Sequence, residues 1–351
     1  SRATAEFWDG GTIPWIKIGN IQRKYVDEAD EYITQAGLEG SSAKMLSAGT
    51  ILFTIFATLG EVGILTIEAC TNQAIAGITI KNQSDILTDY LYYFLKSQKS
   101  CIAALGRGVA QNNINLSILR NFEVPIPDLP MQKQIVAILD KTAKVVEVRQ
   151  QQLQQLDELV KARFVELFGD GNHPHIALID LIIEGAGLSY GIVQPGDDGT
   201  GDMGVLRPVD MVDGKISTAS IKYIDRSIGD GFKKTELYGD ELLITVRGTT
   251  GITALTDIRF NGMNVTRGIA VVRYDRNKIN PVYLNAYLNT DESQRYIQEH
   301  TRGATLQQIN LSDLRVQQIM VPPLALQEQM AAFIEQTDKS KVVVQDEVNG
   351  L

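Results

Sequence analysis

Between Ile135 and Leu167 an apolar residue or a substitute for one recurs every three or four positions. Leu139, Val146, Leu153, Val160 and Leu167 fall seven apart, and Ile135, Thr142, Arg149, Leu156 and Arg163 fill the places between them. A 3.5-residue period held over about five heptads predicts a coiled-coil helix rather than an ordinary surface helix. No proline or glycine interrupts Met131 to Phe168, so at 1.5 Å per residue the rod is about 57 Å long. Gly169 and the stretch GDGNHPH end it, glycine at the stop and proline soon after. A second rod begins after VPPLALQ: Met330, Ile334, Thr337, Lys341, Val344 and Val348 keep the same spacing up to Leu351.

The shorter patterns repeat as well. RGVAQNNINLSILR, from Arg107, returns as RGATLQQINLSDLR from Arg302, and the lag of 195 residues persists downstream: Pro127 falls on Pro322, Leu129 on Leu324, Gln132 on Gln327, Thr142 on Thr337. Upstream, Tyr90, Leu91 and Leu95 lie over Tyr283, Leu284 and Leu288, Thr54 and Gly60 over Thr245 and Gly251, and Lys17 over Arg207. The lag shrinks slowly toward the start, as small loop insertions between two diverged copies of one domain produce; it is no short-period solenoid. In each copy compact β-branched runs (GTILFTIF, DELLITV) precede a helical run (DYLYYFLKSQ, VYLNAYLNTD). The expected fold is α+β: a globule over 1–127, a spacer helix over 128–170, a second globule over 171–322 and a second helix over 323–351. Each rod carries one apolar seam, so the two are expected to pair antiparallel.

Length and composition agree with folded domains: 351 residues with 44% hydrophobic are enough for a core in each copy. The apolar runs are far below the roughly 20 residues of a membrane helix and no leader is present, so a cytoplasmic protein is expected, although both ends read as trimmed. Two cysteines, Cys70 and Cys101, and three histidines offer no disulfide or zinc framework. The net charge of −9 argues mildly against nucleic acid, but a local basic patch suffices for phosphate.

Catalytic patterns are not found. The Pro-Pro of VPPL lacks the acid or amide and the aromatic of an amino-methyltransferase loop, GAGLSYG is mis-spaced for a dinucleotide loop, and PGDDGTGDMG lacks the closing glutamate of a calcium loop. Asp128 and Lys133 in PDLPMQK loosely match a nuclease motif but sit at the repeated proline corner, and His173 and His175 flank a proline past a helix end. No enzyme is expected.

The combination of FWDGGTIPWIKIGNI, the GTILFT and LGEVG run, RGVAQNNINLSILRNFEVPIPDLPMQKQIVAIL and its echo RGATLQQINLSDLRVQQIMVPPLALQEQMAAFI resembles the specificity subunits of type I restriction-modification systems, over nearly the whole chain. The resemblance implies that each globule is a target-recognition domain reading half of a bipartite, asymmetric DNA sequence, with the antiparallel helices as the spacer. It implies a non-catalytic subunit that recruits two methyltransferase subunits carrying S-adenosylmethionine, and through them the motor-nuclease subunits. The chain departs from the family in its short start and short second rod. Physics favours the same arrangement, because two unlike binding modules on a rigid spacer read a split target through effective concentration. By position and residue type, double-stranded DNA would meet Lys17, Asn20, Arg23 and Lys24 in the first copy and Arg207, Lys215, Arg247 and Arg267 in the second. Arg107 with Gln111, and Arg302 with Gln307, form a second tier that either lies near DNA or ties globule to rod; for all of these the plainer alternative is a solvated charge or an architectural corner. A scaffold or decoy that binds the methyltransferase without reading DNA is the alternative function.

Overall fold

The computed structural model describes residues 4–106, 116–169, 171–196, 201–212, 214–304 and 306–350. Arg107 and Gln111 lie outside the described residues. Contacts divide the chain into two compact units, Ser1–Val148 and Arg149–Gly350.

The first unit is built on two four-stranded sheets. In one, Ile13–Ile16 pairs antiparallel with Glu31–Ile33 and parallel with Ala69–Thr71, and Met45–Leu46 closes the far edge. In the other, Ile51–Thr54 lies between Val62–Leu65 and Ile75–Ile78, with Tyr25–Val26 beyond. All four residues of Ile51–Thr54 are buried because alternate side chains feed different cores. Ile51 and Phe53 pack with Leu91, Tyr92 and Leu95 of the helix Thr88–Ser97, while Leu52 packs with Ile16, Val26 and Leu65. Burying each such side chain contributes about 1.5–3 kcal/mol.

The second unit repeats this plan. Leu242–Thr245 is buried throughout; Leu242 and Ile244 face a core with Tyr283, Leu284 and Tyr287 of the helix Pro281–Leu288, and Leu243 faces another with Leu206, Val265 and Val271. Met203–Leu206 runs parallel to Asn264–Val265, as Ile13–Ile16 runs parallel to Ala69–Thr71. Even the repeated Thr and Gly have one job in both copies. Gly60 N donates to Thr54 O and Glu61 N to Thr54 Oγ1; Gly251 N donates to Thr245 O and Ile252 N to Thr245 Oγ1. Both glycines have φ near +80° to +87°, which side-chain-bearing residues rarely adopt.

The predicted long helices are Leu129–Phe168 and Leu324–Asn349. Asp128, the carboxylate of PDLPMQK, caps the first, accepting from Met131 N at 2.9 Å. The repeated glutamine of the first turn docks each helix on its globule. Gln132 accepts from Leu87 N and donates to Asp85 O and Pro127 O, each at 2.8 Å. Gln327 accepts from Asn280 N at 2.8 Å and donates to Pro322 O at 2.7 Å and Lys278 O at 3.4 Å. Both side chains are wholly buried. The matched tyrosines reinforce the corner: Tyr90 donates to Pro125 O and Tyr283 to Met320 O.

Within the second unit the stretch 149–168 of the first long helix pairs antiparallel with the second. Arg149 meets Glu347 at 2.5 Å, Asp157 meets Lys341 at 2.7 Å, and Arg163 lies over the Phe333 ring at 5.9 Å, one helix rising in number as the other falls. The predicted seam positions there are all at least half-buried: Arg149, Leu153, Leu156, Val160, Arg163 and Leu167 on one helix, Met330, Ile334, Thr337, Lys341, Val344 and Val348 on the other. In the first unit Leu139, expected on the seam, stays 36% exposed. No helix among the described residues is long and apolar enough to cross a membrane.

Candidate nucleic-acid interface

In the second unit the repeated phrase builds both architecture and surface. Ile309, Leu311 and Leu314 are buried and Arg315 donates to Leu188 O, so its latter half is a corner of the core. Its first half turns back on itself, Arg302 and Gln308 exchanging backbone hydrogen bonds, and Gln307–Gln308 pairs antiparallel with Arg247–Gly248. Beside them Arg267 projects from the turn after Asn264–Val265. Tyr190, Val193, Arg247, Arg267 and Gln308 line a shallow cleft of about 210 Å³. Among the described residues neither Arg247 nor Arg267 has a side-chain hydrogen bond or ion pair, so both guanidinium groups remain available to an outside acceptor. Arg302 reaches Asp313 only at 3.8 Å, and Gln307 is exposed. Lys215 is exposed on the hairpin of Met211–Val212 and Lys215–Ile216, away from the cleft lining. GAGLSYG, considered above as a loop for a dinucleotide, is a turn with Gly185 and Gly187 at positive φ; Leu188 is buried in the core and Tyr190 lines the cleft.

The first unit carries a larger cleft of about 880 Å³, with Trp8, Trp15, Lys17, Lys44, Asn72 and Gln73 in its lining. The two indoles meet edge to face at 5.8 Å. Lys44, Gln73 and the tryptophans were not among the sequence-predicted contacts. Lys44 and Gln73 carry no periodic signal, and only the sheet, which brings residues near 15, 44 and 72 together, makes them neighbours.

Four predicted contacts are engaged inside the protein. Lys17 pairs with Glu31 at 2.7 Å, and Asn20 Oδ1 caps the short turn that follows by accepting from Lys17 N. Arg207 and Asp210 repeat that turn: Asp210 Oδ2 accepts from Arg207 N, and its wholly buried carboxylate takes two further bonds from the guanidinium, which also donates to Ser220 O. The match of Lys17 with Arg207 in the sequence is therefore the match of a turn. Lys24 is the most enclosed, its side chain 15% exposed, with Asp89 and Asp140 each at 2.6 Å and the rings of Tyr25 and Tyr93 at 5.2 and 4.8 Å. Burial alone would lower its pKa, but the hydrogen bonds to Asp140 and Asp89 outweigh it and raise the pKa. Arg23, its neighbour, is exposed and helps hold Glu147 below the ordinary carboxylate range, after the larger effect of Lys144.

The class defined by this architecture is two like α+β units in one chain, each globule followed by a long helix. The profile of the type I restriction modification DNA specificity domain matches residues 1–158 and 202–347, and the chain belongs to that family. The EcoR124I/EcoR124II specificity subunit of Escherichia coli is 31% identical over 147 residues, 40% of this chain and 36% of the relative. The EcoBI specificity subunit of Escherichia coli is 22% identical, covering 80% of this chain and 65% of its own length; the MjaIX subunit of Methanocaldococcus jannaschii is 22% identical, covering 94% and 81%. The matches thus span about a third and just under two thirds of the two Escherichia coli relatives. A chain solved in work on complex assembly and conformational transition of the type I R-M system superposes with a TM-score of 0.55 at 16% identity, over 97% of this chain and 88% of that one. The S subunit from M. genitalium gives 0.51 at 15% identity, over the same shares. These superpositions support the α+β tandem.

Proposed function

We propose that this chain is the DNA-reading, non-catalytic specificity subunit of a type I restriction-modification complex. Its target-recognition domains, 1–127 and 171–322, each read one half of a bipartite, asymmetric site, and the helices of 128–170 and 323–351 set the gap and dock two methyltransferase subunits. Those subunits would carry S-adenosylmethionine, and motor-nuclease subunits would join through the complex. The observation that carries the reading is the pair of clefts: one framework, repeated, presents a different set of uncommitted amide and cationic side chains in each copy. A reader of two unlike half-sites requires that combination, whereas a scaffold that ignores DNA does not.

Contacts with DNA are assigned to Arg23, Lys215, Arg247, Arg267, Arg302 and Gln307, while Lys17, Asn20, Lys24 and Arg207 hold local shape. Phosphate contacts position the protein and base contacts specify the sequence. The test is adenine methylation mapped across random DNA after the full chain is combined with the methyltransferase encoded beside it. Methylation at one split, asymmetric motif is the expected result. A methyltransferase that is active with another specificity subunit yet marks nothing with this one would favour the scaffold.

A further inference from the structure

The two units can be superposed residue by residue through their backbone hydrogen bonds, and one exposed position then stands out. Asn72 N donates to Ile16 O as Thr266 N donates to Leu206 O; Ile75 N donates to Asn72 O as Ile269 N donates to Thr266 O. Ile55 N donates to Ala74 O as Val246 N donates to Gly268 O. These three pairs of bonds bracket a two-residue turn, Gln73–Ala74 in the first unit and Arg267–Gly268 in the second. Gln73 and Arg267 therefore occupy one framework position. Each is exposed and lines the cleft of its own unit, and among the described residues neither side chain has a hydrogen bond or ion pair.

The surroundings show why this position is free to vary. Main-chain bonds hold the turn, joined in the first unit by Asn72 Oδ1, which accepts from Ala74 N at 3.1 Å; its first side chain, Gln73 or Arg267, takes no part. The neighbouring framework position differs in the same sense: Ile55 matches Val246, which places the exposed Phe56 opposite Arg247. Elsewhere the repeat keeps residues that build shape, such as Thr54 and Thr245 or Gln132 and Gln327. Here it keeps the backbone and changes the chemistry.

That change has a specific meaning at the major-groove edge of a base pair. A glutamine amide offers one acceptor and one donor side by side, matching the N6 donor and N7 acceptor of adenine. A guanidinium offers two parallel donors, matching O6 and N7 of guanine. We infer that Gln73 and Arg267 are equivalent base-reading positions of the two units, Gln73 taking an adenine in one half-site and Arg267 a guanine in the other.

The inference rests on the DNA-reading function proposed above, and the two fail differently. The full chain is assembled with its methyltransferase as wild type and as Gln73→Arg, Arg267→Gln and Arg267→Ala, and methylated motifs are mapped for each. If wild type marks no split motif, the DNA-reading proposal itself fails. Given a wild-type motif, Arg267→Gln should exchange one guanine for adenine in one half-site, with about tenfold preference, leaving the gap and the other half-site unchanged. Gln73→Arg should do the converse in the other half. Arg267→Ala should relax that single position to any base. A motif that keeps guanine there in both Arg267 variants, with methylation merely weaker at every site, would make Arg267 a phosphate contact and overturn the assignment.

Discussion

Lys24 shows how far a single residue can depart from what its type implies. A lysine beside an exposed arginine at the edge of a strand invites a phosphate, yet its ammonium is held by Asp89 and Asp140 among tyrosine rings. Burial pushes the Asp140 carboxyl up, but hydrogen bonds from Lys24 and Tyr93 and the charge of Lys24 bring it below the ordinary value. A lowered carboxylate pKa contributes stability above the unfolded value of about 3.9, and that contribution is lost as pH falls through the folded pKa. Replacing Lys24 by Met should therefore destabilise the protein at pH 6 and cost progressively less as pH drops through that range. Because Asp140 is nearly half exposed, the pH-dependent part should stay below about 1 kcal/mol. Urea midpoints of the two proteins at pH 6 and pH 3 would check this, and a difference that does not shrink on acidification would exclude the pair as its source. Nothing in the linear chain connects residue 24 with 140, so the enclosure was not legible there.

At the scale of elements, the long helices were legible almost to the residue. Their 3.5-residue period depends only on sequence spacing, and a helix exposes one stripe whatever it packs against. The α+β character was legible for the same reason, since Ile51–Thr54 and Leu242–Thr245 are compact β-branched runs. The manner of docking was not. Gln132 and Gln327 appear in the sequence as repeated polar residues near a helix start, and burial gives them their role as amides that satisfy one N–H and two carbonyls apiece. Gln327→Glu keeps the shape and loses both donations, to Lys278 O and Pro322 O. Leaving buried polar groups unpaired costs about 1–3 kcal/mol each, so a loss of about 3 kcal/mol is expected, read as a lower thermal midpoint of the second unit. An unchanged midpoint would mean that water replaces the amide.

For the molecule as a whole, the proposed function makes the helices a ruler. Deleting the heptad Thr142–Val148 shortens the first long helix by about 10 Å at 1.5 Å per residue, on the order of three base pairs at 3.4 Å each. Under the proposed reading the deletion should change the permitted gap in the methylation motif while both half-sites keep their bases. Two unchanged half-sites at an unchanged gap would remove the helices from that role.

The sequence by itself determined the duplication, the helical period and the α+β class, because repeats and periodicities are properties of order along the chain. It also carried the family resemblance that the profile match confirms. Which charges are committed and which remain available was decided only by the tertiary structure. Ion pairs such as Lys17 with Glu31 and the enclosure of Lys24 join residues far apart in sequence, and the equivalence of Gln73 with Arg267 rests on hydrogen bonds between strands that the shifting lag between the copies conceals.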